Sequence, residues 1–150
     1  MNQTLVLLKP ESLQRGLAGE LISRLERRGL TIAAMKMLWL GRETAERHYD
    51  IHRDKPFFAG LVAHICSGPL IACVFRGENA VSVVRQTMGE TDPAHAAPGT
   101  IRGDLALHIG RNLIHGSDSE ESAEKEIALF FSAEELHSYQ RDGERWVTEC

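Results

Sequence analysis

Four runs of apolar residues predict the strands of a sheet. Residues 4–8 form a short apolar run that ends at Lys9 and Pro10, where proline cannot continue the hydrogen bonding of a strand. The other runs span residues 31–40, 70–75 and 113–115 and are rich in residue types that favour a sheet. Because glycine or proline borders these runs, we predict four separate strands.

Helical spacing of apolar residues separates the strands. Leu17, Leu21 and Leu25 recur at helical spacing, and Gly29 follows as a stop signal, which predicts a first helix. Further helices are predicted over residues 42–52, 56–66, 79–88 and 119–131.

Polar residues mark where two of these helices begin. Asn79 is the predicted N-cap of the fourth helix, and residues 117–120 (Ser-Asp-Ser-Glu) form a capping-box candidate before the last one. Ser117 is therefore assigned to the turn and cap rather than to chemistry. Residues 89–112 are predicted as a long loop with one short helical turn, and the tail after Ser132 has no defined pattern.

The element order is strand, helix, strand, strand, helix, strand, with two short helices inserted between the second and third strands. This order predicts an α+β fold of the split βαβ, ferredoxin-like plan, with a four-stranded antiparallel sheet. We expect the helices to cover one face of that sheet. The chain has 150 residues and is 43% apolar, so we predict a single domain over residues 1–150.

The net charge and its distribution along the chain indicate which kinds of ligand the protein can bind. The net charge is -4 and the isoelectric point is about 6.0, so we expect no binding of nucleic acid. The acidic excess lies after His115, whereas the body before it is slightly basic, and arginine outnumbers lysine. Arginine grips phosphate and carboxylate groups through two parallel hydrogen bonds, which favours an anionic small molecule as ligand.

Cysteine usage and the N-terminal run indicate the compartment. Cys66, Cys73 and Cys150 are an odd number with no Cys-x-x-Cys pair, which argues against a disulfide framework and a zinc site. The run over residues 4–8 is too short for a signal peptide or a membrane span. We expect a soluble, cytoplasmic protein that does not bind a membrane.

Common nucleotide and metal motifs are absent. No glycine precedes a lysine and no Gly-x-Gly occurs, which excludes P-loop and Rossmann fingerprints. His48 and His52 are four residues apart on a predicted helix, but Tyr49 stands where a zinc-protease motif needs glutamate. We therefore predict that these histidines lie on a solvated helix face.

One histidine stands where chemistry is expected. His115 ends the last predicted strand, directly before Gly116 and the turn into the last helix, so its side chain is expected to point into a cleft. A partly buried histidine at a strand end that only completes local packing is the alternative.

A carboxylate in the last helix strengthens the chemical interpretation. Glu126 falls inside the apolar stripe that faces the core. A buried carboxylate needs a partner, and His115 is near in sequence, so glutamate is expected to fix the imidazole tautomer and leave one ring nitrogen as a nucleophile. The pattern equally allows Glu126 to pair with an arginine or to turn to solvent.

Six separated motifs occur in this chain. They are residues 9–10 (Lys-Pro), 48–49 (His-Tyr), 55–58 (Lys-Pro-Phe-Phe), 68–69 (Gly-Pro), 98–104 (Pro-Gly-Thr-Ile-Arg-Gly-Asp) and 112–118 (Asn-Leu-Ile-His-Gly-Ser-Asp). Together, and in this order, they resemble the nucleoside diphosphate kinase family over about residues 5–131.

The resemblance implies a ferredoxin-like kinase. Such an enzyme moves the γ-phosphate of a nucleoside triphosphate, mainly ATP, to nucleoside diphosphates through a phosphohistidine, with ping-pong kinetics. Matched residue by residue, His115 is the nucleophile, Glu126 orients it and Lys9 is a catalytic cation. The phosphate and ribose end is then lined by Lys9, Tyr49, Arg85, Thr91, Arg102 and Asn112.

The remaining matches concern the base and the partners. Phe57 matches the aromatic residue on which the base stacks, with Leu61 and Ile109 beside it and Gly116 in the same pocket. The resemblance also implies Mg²⁺ carried by the nucleotide phosphates, with no metal ligands from the protein, and a homo-oligomer, tetramer or hexamer, built from dimers. The alternative is a regulatory or nucleic-acid-binding member of the fold whose catalysis is vestigial.

Four features depart from the family pattern. Glu11 stands where many relatives have aspartate, and Phe75 stands where tryptophan is frequent. His108 occupies a position that is often acidic or small and polar, and the tail over residues 137–150 matches no family pattern.

Overall fold

A computed structural model describes residues 2–149 and contains one antiparallel sheet. Its strands are β1 (Asn2–Leu8), β2 (Thr31–Leu38), β3 (Leu70–Gly77) and β4 (Ile114–Gly116), in the spatial order β2-β3-β1-β4. All three neighbouring pairs are antiparallel. The predicted α+β, ferredoxin-like plan is confirmed.

Seven α-helices accompany the sheet in the described residues. They are α1 (Pro10–Gln14), α2 (Ala18–Arg27), α3 (Arg42–His48), α4 (Phe58–Ile65), α5 (Ala80–Met88), α6 (Ile101–Leu105) and α7 (Glu120–Phe130). Single 3₁₀ turns span Asp50–His52, Pro93–His95, Ile109–Arg111, Ala133–Glu135 and Glu144–Trp146.

The sequence pattern missed α1. Pro10 ends β1 as predicted, but it also occupies the first turn of this short helix. Proline is suited to both places, because its missing N–H group is not needed in a first helical turn. None of the seven helices, nor any other helix among residues 2–149, has the length and apolar content needed to cross a bilayer.

Helices cover both faces of the sheet, so the prediction of one covered face is wrong. Leu5 and Leu7 pack into one buried cluster, which includes residues of α4 and α7. Val6 and Leu8 pack into a second cluster, which includes residues of α2, α5 and α6. A strand that is apolar at consecutive positions is buried on both faces, and residues 4–8 carry that signal.

The two predicted helix starts differ in how they are capped. Asn79 occupies the N-cap position of α5, as predicted, but it has the left-handed conformation (φ 52°) and its side chain makes no capping hydrogen bond. Ser119 caps α7 by accepting a hydrogen bond from the Ser122 N–H group. Ser117, which is predicted to support this cap, instead donates its hydroxyl hydrogen bond to Glu126.

The tail packs against the start of β2. The His137 N–H group donates to the Ala33 carbonyl at 2.9 Å, and the Tyr139 hydroxyl donates to the Ile32 carbonyl at 2.6 Å. Arg141 donates to the carbonyls of Gly29 and Leu30. Cys66 and Cys73 are free thiols, and Cys150 lies outside the described residues.

A tight turn at Leu113 leads into β4. Leu113 has a φ of 75°, and the Ile114 N–H group donates to the Asn112 carbonyl at 2.9 Å, which closes a three-residue turn. This conformation is costly for a residue with a Cβ atom and persists only where its surroundings fix it.

Glu11 and Lys9 fix that turn from both sides. The Leu113 N–H group donates to Glu11 Oε2 at 3.0 Å, and the Lys9 N–H group donates to the Leu113 carbonyl at 2.9 Å. Glu11 Oε1 lies 2.7 Å from His64 Nε2. Burial favours the neutral carboxyl, but the hydrogen bond with His64, the charge of Lys9 and the N–H of Leu113 outweigh it and lower the pKa of Glu11 to about 2.

Acid should therefore weaken the fold through Glu11. The ordinary pKa is 4.5 and the folded value is about 2, so this group stabilises the folded state above about pH 5 by about 3 kcal/mol, and the contribution disappears as pH falls toward 2. We expect Glu11→Gln to lower the free energy of unfolding, measured with urea, by about this amount at pH 5.

The pH dependence distinguishes this effect from a simple packing defect. The difference between the wild type and Glu11→Gln should shrink as pH falls from about 5 toward 2, and Glu124→Gln, at an exposed position of α7, should show no such trend. A difference that stays constant with pH would contradict the account of Glu11.

Candidate active site

A polar cleft of about 280 Å³ opens beside β4. The end of α3 and the 3₁₀ turn that follows it form one wall, and α5, α6 and the Leu113 turn contribute to the other. Ten of the predicted site residues line it: Lys9, Tyr49, Leu61, Arg85, Thr91, Arg102, Asn112, His115, Gly116 and Glu126. The fold thus gathers residues from across the whole chain at one place.

His115 and Glu126 meet in this cleft, as predicted. His115 lies in β4 opposite Leu7 of β1, and its Nε2 atom lies 2.8 Å from Glu126 Oε1. The alternatives, a pairing of Glu126 with arginine or its exposure to solvent, are wrong.

The state of Glu126 assigns the tautomer of its partner. Burial favours the neutral carboxyl, but the hydrogen bond and charge of His115 and the hydroxyl of Ser117 outweigh it and hold the pKa of Glu126 below its ordinary value. An ionised carboxylate only accepts hydrogen bonds, so the Nε2–H group of His115 must donate. In the neutral imidazole, Nδ1 then keeps its lone pair.

Ser117 positions the glutamate rather than capping α7. The Ser117 hydroxyl donates to Glu126 Oε1 at 2.8 Å, and the Ser117 Oγ atom accepts a hydrogen bond from the Leu5 N–H group at 3.3 Å. The side chain is fully buried, so this bond is part of the interior. Because Ser117 directly follows β4, it fixes the carboxylate relative to the strand that carries His115.

Lys9 and Asn112 form a buried polar pair at the far end of the cleft. Lys9 Nζ donates to Asn112 Oδ1 at 2.8 Å, and Asn112 Nδ2 donates to the Thr91 carbonyl at 3.0 Å. Burial lowers the pKa of Lys9, Glu11 opposes this, and the charges of Arg102 and Arg111 add to it. A poorly solvated ammonium group gains more from an incoming anion than an exposed one does.

Arg102 ties three backbone segments together. Its guanidinium donates to the carbonyls of Gly89, Asn112 and Ile114 at 2.6 to 3.2 Å. Burial, with the nearby charge of Arg85, lowers the pKa of Arg102 to about 10. Its side chain also lines the cleft.

Arg85 and Gly116 complete this end. Arg85 Nη1 donates to the Gly116 carbonyl at 3.3 Å. A Cβ atom on Gly116 would lie 2.8 Å from Met88 Sδ, so a larger residue between β4 and α5 would force that side chain to shift. Tyr49 lines the opposite wall, and burial, with the charges of Glu11 and Glu126, raises the pKa of its hydroxyl to about 12. That hydroxyl therefore remains protonated and can donate a hydrogen bond.

Two predicted base-binding residues lie outside the cleft walls. Phe57 and Ile109 are each 51% exposed, and neither is among the residues that line the cleft. The Phe57 ring lies 5.4 Å from the ring of His52, which does line it, so Phe57 stands next to the cleft. His108 is exposed, and its Nδ1 atom accepts from the Gly110 N–H group at 2.9 Å, which caps the 3₁₀ turn that carries Ile109.

His48 is not on a solvated helix face, so that prediction is wrong. Its ring meets the His115 ring edge-on at 4.7 Å and the Phe130 ring at 5.5 Å. Both of its ring nitrogens are buried, and neither hydrogen bonds to another described protein group. Burial, followed by the charge of His115, lowers the pKa of His48 to about 3, so the ring is neutral at neutral pH.

A helical spacing signal was available for His48. Ala45 is fully buried, and a residue three positions later shares its helix face. The prediction of a solvated face rested on the polarity of His48 and His52 and did not use the spacing between His48 and Ala45. Glu11, His64 and Ser117 carried no comparable signal, because their partners are distant in the chain.

Comparisons with known proteins agree along the whole chain. The family model described as nucleoside diphosphate kinase matches residues 2–136. A nucleoside diphosphate kinase from Archaeoglobus fulgidus is 57% identical over 149 residues, 99% of both chains, and one from Pelotomaculum thermopropionicum is 55% identical over 99% of this chain and all of its own. The tail therefore aligns with these relatives, although the family model ends at residue 136.

Solved structures show the same likeness in three dimensions. A halophilic nucleoside diphosphate kinase from Halobacterium salinarum, in complex with CDP, superposes with a TM-score of 0.96 at 50% identity, and 99% of each chain is covered. A family member from Babesia bovis gives the same TM-score at 37% identity. From the matched model, the identities and the shared fold, this chain belongs to the nucleoside diphosphate kinase family.

Proposed function

We propose that this protein transfers the γ-phosphate of a nucleoside triphosphate, mainly ATP, to nucleoside diphosphates through a phosphohistidine on His115. The observation that carries the proposal is the hydrogen bond from His115 Nε2–H to Glu126, which leaves Nδ1 as a nucleophile in a cleft lined with cations. A covalent intermediate lets one cleft hold the donor and then the acceptor, which gives ping-pong kinetics. The vestigial alternative has no support from this site, since nucleophile and orienting carboxylate are both in place.

The imidazole and its carboxylate supply the nucleophile. In the first half-reaction Nδ1 attacks the γ-phosphorus, the bond to the β,γ-bridging oxygen breaks, and the nucleoside diphosphate leaves. The imidazole then carries both a phosphoryl group and the Nε2 proton, and Glu126 stabilises the resulting positive charge. The second half-reaction reverses these steps with a different nucleoside diphosphate as acceptor.

The phosphate end supplies fixed charge and hydrogen-bond donors. Lys9, Arg85 and Arg102 line the cleft, and cations held in place stabilise the charge that spreads over the oxygens during phosphoryl transfer. Their internal hydrogen bonds hold them before a nucleotide arrives, so little reorganisation accompanies the reaction. Tyr49, Thr91 and Asn112 are the proposed neutral contacts to phosphate and ribose.

Mg²⁺ is proposed to enter with the nucleotide as part of the substrate. Magnesium prefers six oxygen ligands and commonly uses substrate phosphates for several of them. Among the described cleft residues, the carboxylates are Glu126, which is bonded to His115 and Ser117, and Asp118. This donor set does not form an oxygen cage for magnesium, whereas the nucleotide phosphates supply the oxygens that the ion prefers.

The base is proposed to stack on Phe57, with Leu61 and Ile109 beside it. An aromatic face binds every base without reading its hydrogen-bonding edge, which supports broad acceptance of purines and pyrimidines. The relative from Halobacterium salinarum was solved with CDP, a pyrimidine nucleotide, which supports the same proposal for this chain.

The proposal also covers the domain organisation, the compartment and the oligomeric state of the protein. We propose one domain over residues 1–150, a cytoplasmic protein, and a homo-oligomer, tetramer or hexamer, built from dimers. Met37 and Trp39 are more than 60% exposed at the end of the edge strand β2, and such apolar surface supports association between copies.

Labelling with γ-labelled ATP and Mg²⁺ tests the intermediate. The isolated wild type should carry label that survives base, is lost in acid and moves to added GDP. His95→Ala, at an exposed histidine, should behave like the wild type, whereas His115→Ala should carry no label. Label on His115→Ala, or a wild type that binds nucleotide without taking up label, would refute the phosphohistidine.

Phe57→Ala tests the stacking proposal. Losing one aromatic stack costs about 1–3 kcal/mol, so KM should rise by roughly 5-fold to 150-fold for ADP, GDP and CDP alike. Leu107→Ala, at an exposed residue outside the cleft, is the matched control and should leave KM unchanged. A rise confined to one base would instead show that Phe57 takes part in base selection.

A further inference from the structure

The cleft holds a second arrangement of ligands besides the one proposed for phosphate. His48, His115 and Glu126 each offer one donor atom, and these three atoms lie within 4.8 Å of one another. They come from three separate elements, the end of α3, β4 and α7. The cluster is thus produced by the tertiary fold and not by a local sequence motif.

His48 is the unexplained member of this cluster. The proposed phosphoryl transfer gives it no role, yet its ring is held between His115 and Phe130 with both nitrogens buried and without a bond to a described protein group. Burying polar atoms without a partner is costly. An imidazole nitrogen with a free lone pair is also among the commonest metal ligands in proteins.

We propose that His48, His115 and Glu126 bind a transition-metal cation of the zinc class, which then blocks the phosphate-accepting nitrogen of His115. Two imidazoles and one carboxylate form a donor set that zinc accepts in tetrahedral sites, with a fourth position left open, here toward the cleft. The same set is unsuited to Mg²⁺, which prefers oxygen. The site therefore distinguishes an inhibitory cation from the one that enters with the nucleotide.

Metal binding requires the three side chains to draw together. Ligand atoms about 2.0–2.1 Å from a tetrahedral zinc lie about 3.4 Å apart, whereas these donor atoms lie within 4.8 Å of one another. The charges of Lys9 and Arg85 in the same cleft lower its affinity for a divalent cation, while the Glu126 carboxylate raises it.

A metal ion bound to either ring nitrogen of His115 removes the nucleophile. An ion on Nδ1 occupies the attacking lone pair directly. An ion on Nε2 replaces the proton shared with Glu126, and a neutral imidazole bound in that way carries its proton on Nδ1. Binding rests only on the described cluster, whereas inhibition also rests on the proposed phosphohistidine mechanism.

The binding test uses the nucleotide-free protein with Co²⁺ and Zn²⁺ as the probes. Co²⁺ should give the visible absorption of a tetrahedral site at one equivalent, and Zn²⁺ should displace it. His48→Phe and His48→Gln should weaken zinc binding by about 100-fold or more. Mutating residues that only hydrogen bond to metal ligands already lowers metal affinity by about 10-fold to 100-fold, and losing a ligand should cost at least as much. His52→Phe replaces the same residue type on the same cleft wall but outside the cluster, and should retain wild-type zinc affinity.

Two further measurements test the metal site and the proposed phosphohistidine separately. Histidine NMR of the wild type should show that zinc perturbs the rings of His48 and His115, and protein preloaded with zinc should take up no label from γ-labelled ATP, while zinc-free protein does. Zinc affinity that survives both His48 substitutions, or perturbation confined to exposed histidines, would overturn the metal site. Failure of labelling in zinc-free protein would count against the phosphohistidine alone.

Discussion

The hydrogen bond between His115 and Glu126 decides what the cleft can do chemically. It joins the strand β4 to the helix α7, and it places the only proton of a neutral imidazole on Nε2, toward Glu126. A carboxylate in an apolar stripe would destabilise the fold without a donor. Here His115 and the buried Ser117 hydroxyl both supply one, so the same two bonds satisfy the interior and orient the nucleophile.

The rest of the site depends on buried charged side chains that hydrogen bond to backbone groups. Arg102 holds three carbonyls around the Leu113 turn, and Glu11 holds the N–H group at its centre. These bonds keep a strained turn in place at the entrance to β4, and with it Asn112 and His115 on either side. The charges that the proposed mechanism needs for phosphate are therefore already fixed by folding, which is how a preorganised site avoids rearrangement during the reaction.

Much of the fold followed from simple patterns, and the failures have physical reasons. Apolar runs located all four strands, and the periodicity of α7 placed Glu126 against the core. The apolar run over residues 4–8 is buried on both sides, a signal that the prediction of one covered face did not use, and Pro10, predicted as a stop, also starts α1.

Residues whose roles depend on distant contacts were harder to predict. Ser117 lies 112 residues from Leu5 in the chain, and Glu11 lies 102 residues from Leu113, so no local pattern links them. His48 was misassigned because its polarity outweighed its helical position. The family resemblance named most of the residues that the structure brings together in the cleft, but it gave no reason for the internal bonds of Arg102 or for the buried, unpaired ring of His48.

The tautomer of His115 is the most direct measure of the central claim. Nitrogen NMR of the histidine rings, at a pH where His115 is neutral, reports which ring nitrogen carries the proton. The hydrogen bond to an ionised Glu126 predicts the proton on Nε2 in the wild type, and Glu126→Ala should relax that preference. A wild-type proton on Nδ1 would leave that nitrogen without the lone pair that the proposed phosphoryl transfer needs, and would contradict the account.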